Sequence, residues 1–142
     1  MEKIGDCLKS KGRVIFHEYV HYESWELLPP NEHQKQFVNE VVKSWRAQGG
    51  EPNIAAFLPE ILHLNNFDIV ATKPLVFNCS PKDYFWQWPE SFIEINLLRQ
   101  VELGGVSKQW ADDVLESFRT AKNNPFSMQI TPLVLEIIAE KK

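Results

Sequence analysis

The sequence predicts an α/β fold, and three observations carry that prediction. Val14, Ile15 and Phe16, entered through Gly12, form a short apolar run with β-branched character, the pattern of an interior parallel strand buried on both faces. Two later stretches, Phe67 to Phe77 and Met128 to Ala139, are rich in β-formers and read as the second and third strands. Between the strands lie segments whose apolar residues recur at helical spacing.

Taken in order, residues 1–9 place Ile4, Cys7 and Leu8 at i, i+3 and i+4, a short amphipathic helix closed by Gly12 in the left-handed conformation. After the first strand, Leu27-Leu28-Pro29-Pro30 imposes extended backbone, and Asn31 caps a helix beginning at Glu32. Phe37, Val38, Val41, Val42 and Trp45 form its inner stripe, Lys35, Asn39, Lys43 and Arg46 its solvent side, and Gly49-Gly50 its end. A helical stretch from about Asn53 carries Ile54, Phe57, Leu58, Ile61, Leu62 and Leu64, and Pro59 predicts a kink or a division into two short helices. Asn65-Asn66 turns into the second strand, where Pro74 marks a bend or an edge.

Ser80-Pro81-x-Asp83 reads as a helix start with Ser80 as the cap. Pro89 opens a helix whose Phe92, Ile93, Ile95, Leu97, Leu98 and Val101 cover more than one face, so it is buried on two sides or meets a partner. Ser107 caps a last helix, with Trp110, Val114, Leu115 and Phe118 inward, and Pro132 interrupts the third strand. The expected order is helix, strand, two helices, strand, a helical insertion or lid over residues 78–127, and strand, in a single domain over residues 1–142.

Composition narrows the function. A hydrophobic share of 44% and a charged share of 24% are ordinary for a globular chain. Five Trp and nine Phe exceed what a core of this size needs, so some are expected to line a pocket or an interface. A net charge of −4 with dispersed Lys and Arg offers no footprint for nucleic acid. No apolar run reaches the ~20 residues that span a bilayer, and the N-terminus lacks the apolar core of a signal peptide, so a soluble cytoplasmic protein is expected. Cys7 and Cys79 lack zinc-ligand spacing and are expected to be buried thiols in a reducing compartment.

Ligands of open α/β sheets bind at the carboxyl ends of strands, which points to His17, Glu18, Tyr19, His21, Tyr22 and Trp25 as candidate binding residues. His17-Glu18-x-x-His21 has the residues but not the spacing of a zinc protease, and no metal is expected. Its residues are either ordinary polar groups at a strand end or groups that orient a ligand or move a proton. Trp86 and Trp88, beside Tyr84 and Phe85, are either core of the insertion or part of a lid. The sequence contains no GxSxG, P-loop, HExxH, GxGxxG or CxxC motif.

Several segments together resemble a known family. LKSKGRVIFHEY (Leu8 to Tyr19), SWRAQGGEPNIAAFLPEIL (Ser44 to Leu62), NNFDIVATKPLVF (Asn65 to Phe77), FWQWP (Phe85 to Pro89) and ITPLVLEIIA (Ile130 to Ala139) are similar to the C-terminal half of class I S-adenosylmethionine-dependent methyltransferases of the bacterial small-molecule type. The resemblance implies a partial Rossmann-like sheet made of strands five to seven, the last pair antiparallel, and in-line methyl transfer that needs little acid-base help. The family's turn has Pro-Gly where this chain has Ser10-Lys11-Gly12. The family's cofactor half, with its glycine-rich turn and ribose-binding acid, has no counterpart here. S-adenosyl-L-methionine is therefore expected only in a complete enzyme, with no cofactor and no activity for this chain alone.

The resemblance also implies a small-molecule substrate contacted by His17, Tyr19, Tyr22, Trp25, Trp86 and Trp88, and an interior strand left at an edge. Either a missing N-terminal half or a second copy of the chain is expected to cover that edge. The alternatives are a non-enzymatic binding or oligomerisation domain derived from the same fold, and a small metallohydrolase using His17, Glu18 and His21.

Overall fold

A computed structural model describes residues 2–142 and shows an α/β chain with two small antiparallel sheets. The elements are α1 (Glu2–Cys7), β1 (Arg13–His21), β2 (Glu26–Leu28), α2 (Glu32–Ala47), α3 (Leu58–Leu64), β3 (Phe67–Leu75), β4 (Asn78–Cys79), α4 (Gln87–Glu102), α5 (Lys108–Asn123), β5 (Met128–Ile130) and β6 (Leu133–Lys141), with single 3-10 turns at Tyr22–Ser24, Ile54–Ala56 and Tyr84–Trp86. They fall into two compact units, one of residues up to Tyr22, Glu51–Val76 and Leu133–Lys142, the other of Glu23–Gly50 and Phe77–Pro132. Met1, the start of the first expected helix, lies outside the described residues. No helix among the described residues is long and apolar enough to cross a membrane.

The first unit is built on the sheet β1-β6-β3, in which β6 is central and antiparallel to both neighbours. Strand alternation gives this sheet two unlike faces. On one, Leu58, Leu62, Phe67, Ile137 and Ala139 form a buried core, flanked by Leu8, Val14, Phe16 and Leu135. On the other, the register sets Arg13 across from Glu140 and Asp68, and His17 across from Glu136 and Lys73. Arg13 Nε lies 3.0 Å from Glu140 Oε2, and Lys142 lies 3.0 Å from Asp68. Such exposed pairs each contribute at most about 1 kcal/mol, so the covered face supplies most of the stability.

The structure corrects the reading of β1 as an interior parallel strand buried on both faces. Among the described residues β1 pairs only with β6, antiparallel, and Ile15 is 59% exposed. Its apolar run is continuous because Val14 and Phe16 face the core while Ile15 lies in the row with Ile138 on the other face.

Gly12 is not the left-handed residue either; Lys11 takes that conformation, with φ 64°. Gly12 serves close approach instead. Its N–H donates to the Lys9 carbonyl at 2.9 Å, and a Cβ there would lie 2.8 Å from that same oxygen. The expected division at Pro59 is present: a 3-10 turn precedes α3, which carries the proline in its first turn.

The second unit packs α2 and α4 against α5 beside the sheet β2-β5-β4. Asn31 caps α2 by accepting the Gln34 N–H at 3.0 Å, and its side chain also exchanges hydrogen bonds with Ser117 of α5. Both Gly49 and Gly104 adopt positive φ and close α2 and α4 with paired backbone hydrogen bonds back into the last turn. Ser80 does not cap a helix; its N–H and hydroxyl both donate to Asp83 Oδ2, which holds the Asp83 carboxyl below its ordinary range.

Pro132 does more than interrupt a strand. Residues 128–130 pair with β2 and β4, residues 133–141 with β1 and β3, and the chain changes sheets at Thr131-Pro132. Thr131 takes part in this change by donating its N–H to the Phe77 carbonyl at 2.9 Å and accepting the Phe77 N–H on Oγ1 at 3.0 Å.

Candidate functional site

The site residues expected at the end of β1 divide between its two faces. His17 and Tyr19 lie on the open face, with His17 Nε2 2.6 Å from Glu136 Oε2. Glu18 lies on the opposite face, in register with Leu135, and an irregularity between Tyr19 and His21 turns His21 to the side of Leu133. Strand alternation thus separates His17 from Glu18, and among the described residues no group of three or more His, Cys, Asp or Glu is placed to hold a metal ion.

Tyr22 is buried, meets Tyr19 edge-to-face at 4.8 Å and donates its backbone N–H to Asn53 Oδ1 at 2.7 Å. Burial, helped by the charge of Glu18, pushes the Tyr19 phenol above its ordinary 10.0. Burial pushes that of Tyr22 far above the same value, with Tyr19 adding to the shift. Both phenols hold their protons to higher pH in the folded chain than in an unfolded chain, which ionises them near pH 10.0. Above that pH the unfolded chain holds fewer protons, so stability present below pH 10 is lost as pH rises past it. A base titration followed by circular dichroism is expected to show alkaline unfolding, and Tyr22→Phe to move the transition to higher pH.

The remaining candidates lie in the second unit. Trp25 is buried, with its ring edge-to-face to Phe37 and its Nε1 donating to Gln129 Oε1 at 3.2 Å. It also walls a cavity of about 260 Å³ whose rim carries Glu23, Glu26, Lys35 and Asn39. An aromatic wall with two carboxylates, an ammonium and an amide suits a small polar ligand that carries both charge and apolar surface. Trp86 is wholly buried against Phe118 and belongs to the core. Trp88 is 43% exposed and, with Tyr84, Phe85, Gln87 and Ser91, lines a cavity of about 360 Å³ suited to a flat apolar group. Phe85 is held there by stacking on Phe77 at 4.6 Å.

The sequence did not point to Glu23, Glu26, Lys35 or Asn39 as cavity residues. The signal was the spacing of Lys35, Val38 and Asn39 at i, i+3 and i+4 of α2, one helix face that lines the Trp25 cavity. Cys7 is exposed, contrary to expectation, at the end of α1, while the next residue, Leu8, packs against the core of the first unit. Cys79 is buried, and burial pushes its thiol up, which keeps it in the unreactive protonated form.

A scan against protein-family models finds no match to this chain, and a search of curated proteins finds none either.

Proposed function

We propose that the chain is the C-terminal, substrate-side part of a cytoplasmic class I S-adenosylmethionine-dependent methyltransferase acting on a small molecule. One observation carries the reading. The three segments that resemble the family's fifth, sixth and seventh strands, β1, β3 and β6, share one sheet, and the last pair is antiparallel. The reading is further supported by a polar, aromatic-walled cavity at Trp25, just beyond the carboxyl end of β1 in the chain.

The residues present do not fit the cofactor itself, since the sequence offers no glycine-rich turn between strand and helix. What this chain contributes is binding and orientation: Trp25 and Trp88 supply apolar walls, and Glu23, Glu26, Lys35 and Asn39 supply polar contacts. The family's N-terminal half, pairing along β1, completes the sheet and covers its edge.

The test is to read the coding DNA upstream in frame and then assay methyl transfer. An open frame encoding a strand, a glycine-rich turn and an acid about 20 residues on is expected. This chain alone is expected to transfer no methyl group and to bind S-adenosylhomocysteine negligibly, and fusion to the upstream half to restore both. Methyl transfer by the isolated chain, or an upstream region lacking those features, overturns the proposal.

A further inference from the structure

Helix α4 is apolar on two faces. Its inner face buries Pro89, Ile93 and Leu97, whereas Trp88, Ile95 and Leu98 point outward, the last two 70% and 68% exposed. That much bare aliphatic surface on one helix is unusual for a face that meets only water. The outward residues also follow a regular order. Trp88, Ile95 and Glu102 are spaced by seven, Ser91 and Leu98 are spaced by seven between them, and Glu94 and Arg99 flank the stripe on opposite sides, all of them exposed. This spacing matches that of a two-stranded coiled-coil seam, with Ile95 and Leu98 as its apolar centre, Glu94 and Arg99 at the margins, and Glu102 in line with the seam at the last residue of the helix.

We propose that α4 docks in parallel against α4 of a second copy of this chain. The marginal pair Glu94 and Arg99 favours a second copy in parallel, and the like-charged Glu102 pair that this register brings together lies only at the last residue of α4. In a parallel pair the marginal residue before one heptad faces the opposite margin of the next, five residues on, so Glu94 meets Arg99 of the second copy, twice by symmetry. An antiparallel pair instead brings each of these residues to the side of its own kind, and a basic foreign helix meets Arg99 in mid-seam. Beside the seam, Leu98 lines a cavity of about 170 Å³ with Leu97, Val101 and Leu115 as apolar wall and Glu94, Glu102, Lys108 and Asp112 around them, which gives a side chain of the second copy room to pack. The 16-residue helix is already held on α5, so association does not have to fold it. This surface is separate from the edge of β1 and its apolar centre, Ile95 and Leu98, lies outside the 360 Å³ aromatic cavity, which shares Trp88 and Ser91 with the start of the seam; the inference does not depend on the methyltransferase reading.

Sedimentation velocity of the 142-residue chain over a concentration series is the test. A monomer–dimer equilibrium is expected, abolished by I95E/L98E with an unchanged circular dichroism spectrum, and weakened at least tenfold by the milder L98Q. Glu94→Arg and Arg99→Glu are each expected to raise the dissociation constant roughly fivefold, as reversal of a marginal charge does, and E94R/R99E to restore it. A wild-type chain that stays monomeric to its highest soluble concentration overturns the proposal. So does a dimer that survives I95E/L98E, which would be held elsewhere, as along β1, and so do charge reversals that leave the constant unchanged or fail to rescue each other.

Discussion

Replacing Phe67 by alanine is expected to destabilise the chain by about 3–5 kcal/mol, the usual cost of deleting a wholly buried aromatic ring. Phe67 is 1% exposed at the start of β3 and belongs to a buried cluster with Leu58, Leu62, Ile137 and Ala139. A domain's whole stability is about 5–15 kcal/mol, so this one change removes a large share of it. Ile15, on the opposite face of the same sheet and 59% exposed, is the control. Ile15→Ala is expected to cost no more than about 0.5 kcal/mol, as for surface positions in general. Urea denaturation followed by circular dichroism measures both, and equal costs would mean that the two faces of the sheet are not as unlike as the core and ion-pair rows make them.

The same contrast explains how far the sequence could be read. Long elements were legible because each carries its own signal: Asn31 and Ser107 cap the helices predicted there, and Pro59 divides the helical stretch as expected. What local pattern does not encode is pairing. Val14-Ile15-Phe16 looks alike whether the strand is interior or at an edge, since only its neighbours decide whether Ile15 is covered. Strands β2, β4 and β5, of two or three residues, are too short to show a period, so the second sheet was not predicted. Lys35 and Asn39 read as a solvated helix side, and it takes Trp25 and Glu26 from β2 and its preceding turn to make that side a cavity wall. For the candidate site, the aromatic residues were legible by type, but which of them are wall and which are core was not.

The largest consequence of that division falls on Trp86. As a ligand contact, its loss would leave the fold intact and weaken binding; as a core residue, its loss unfolds the second unit. It is 1% exposed, its ring lies 5.5 Å from that of Phe118, and its indole N–H is buried with no hydrogen-bond partner among the described residues. Trp86→Ala is therefore expected to cost about 3–5 kcal/mol. Trp86→Phe is expected to cost less than about 2 kcal/mol, because part of the lost contact is offset by removing a buried donor that nothing satisfies. Trp88, two residues on and 43% exposed on the wall of the aromatic cavity, should behave in the opposite way. Trp88→Ala is expected to change stability by about 0.5–1 kcal/mol while removing most of the affinity for a planar ligand, since the wall loses its largest ring. Denaturation curves and ligand titrations of the three variants separate the roles. A W86A chain that remains as stable as the wild type would return Trp86 to the ligand-contacting set and would require the helices around Phe118 to close over the space the indole leaves.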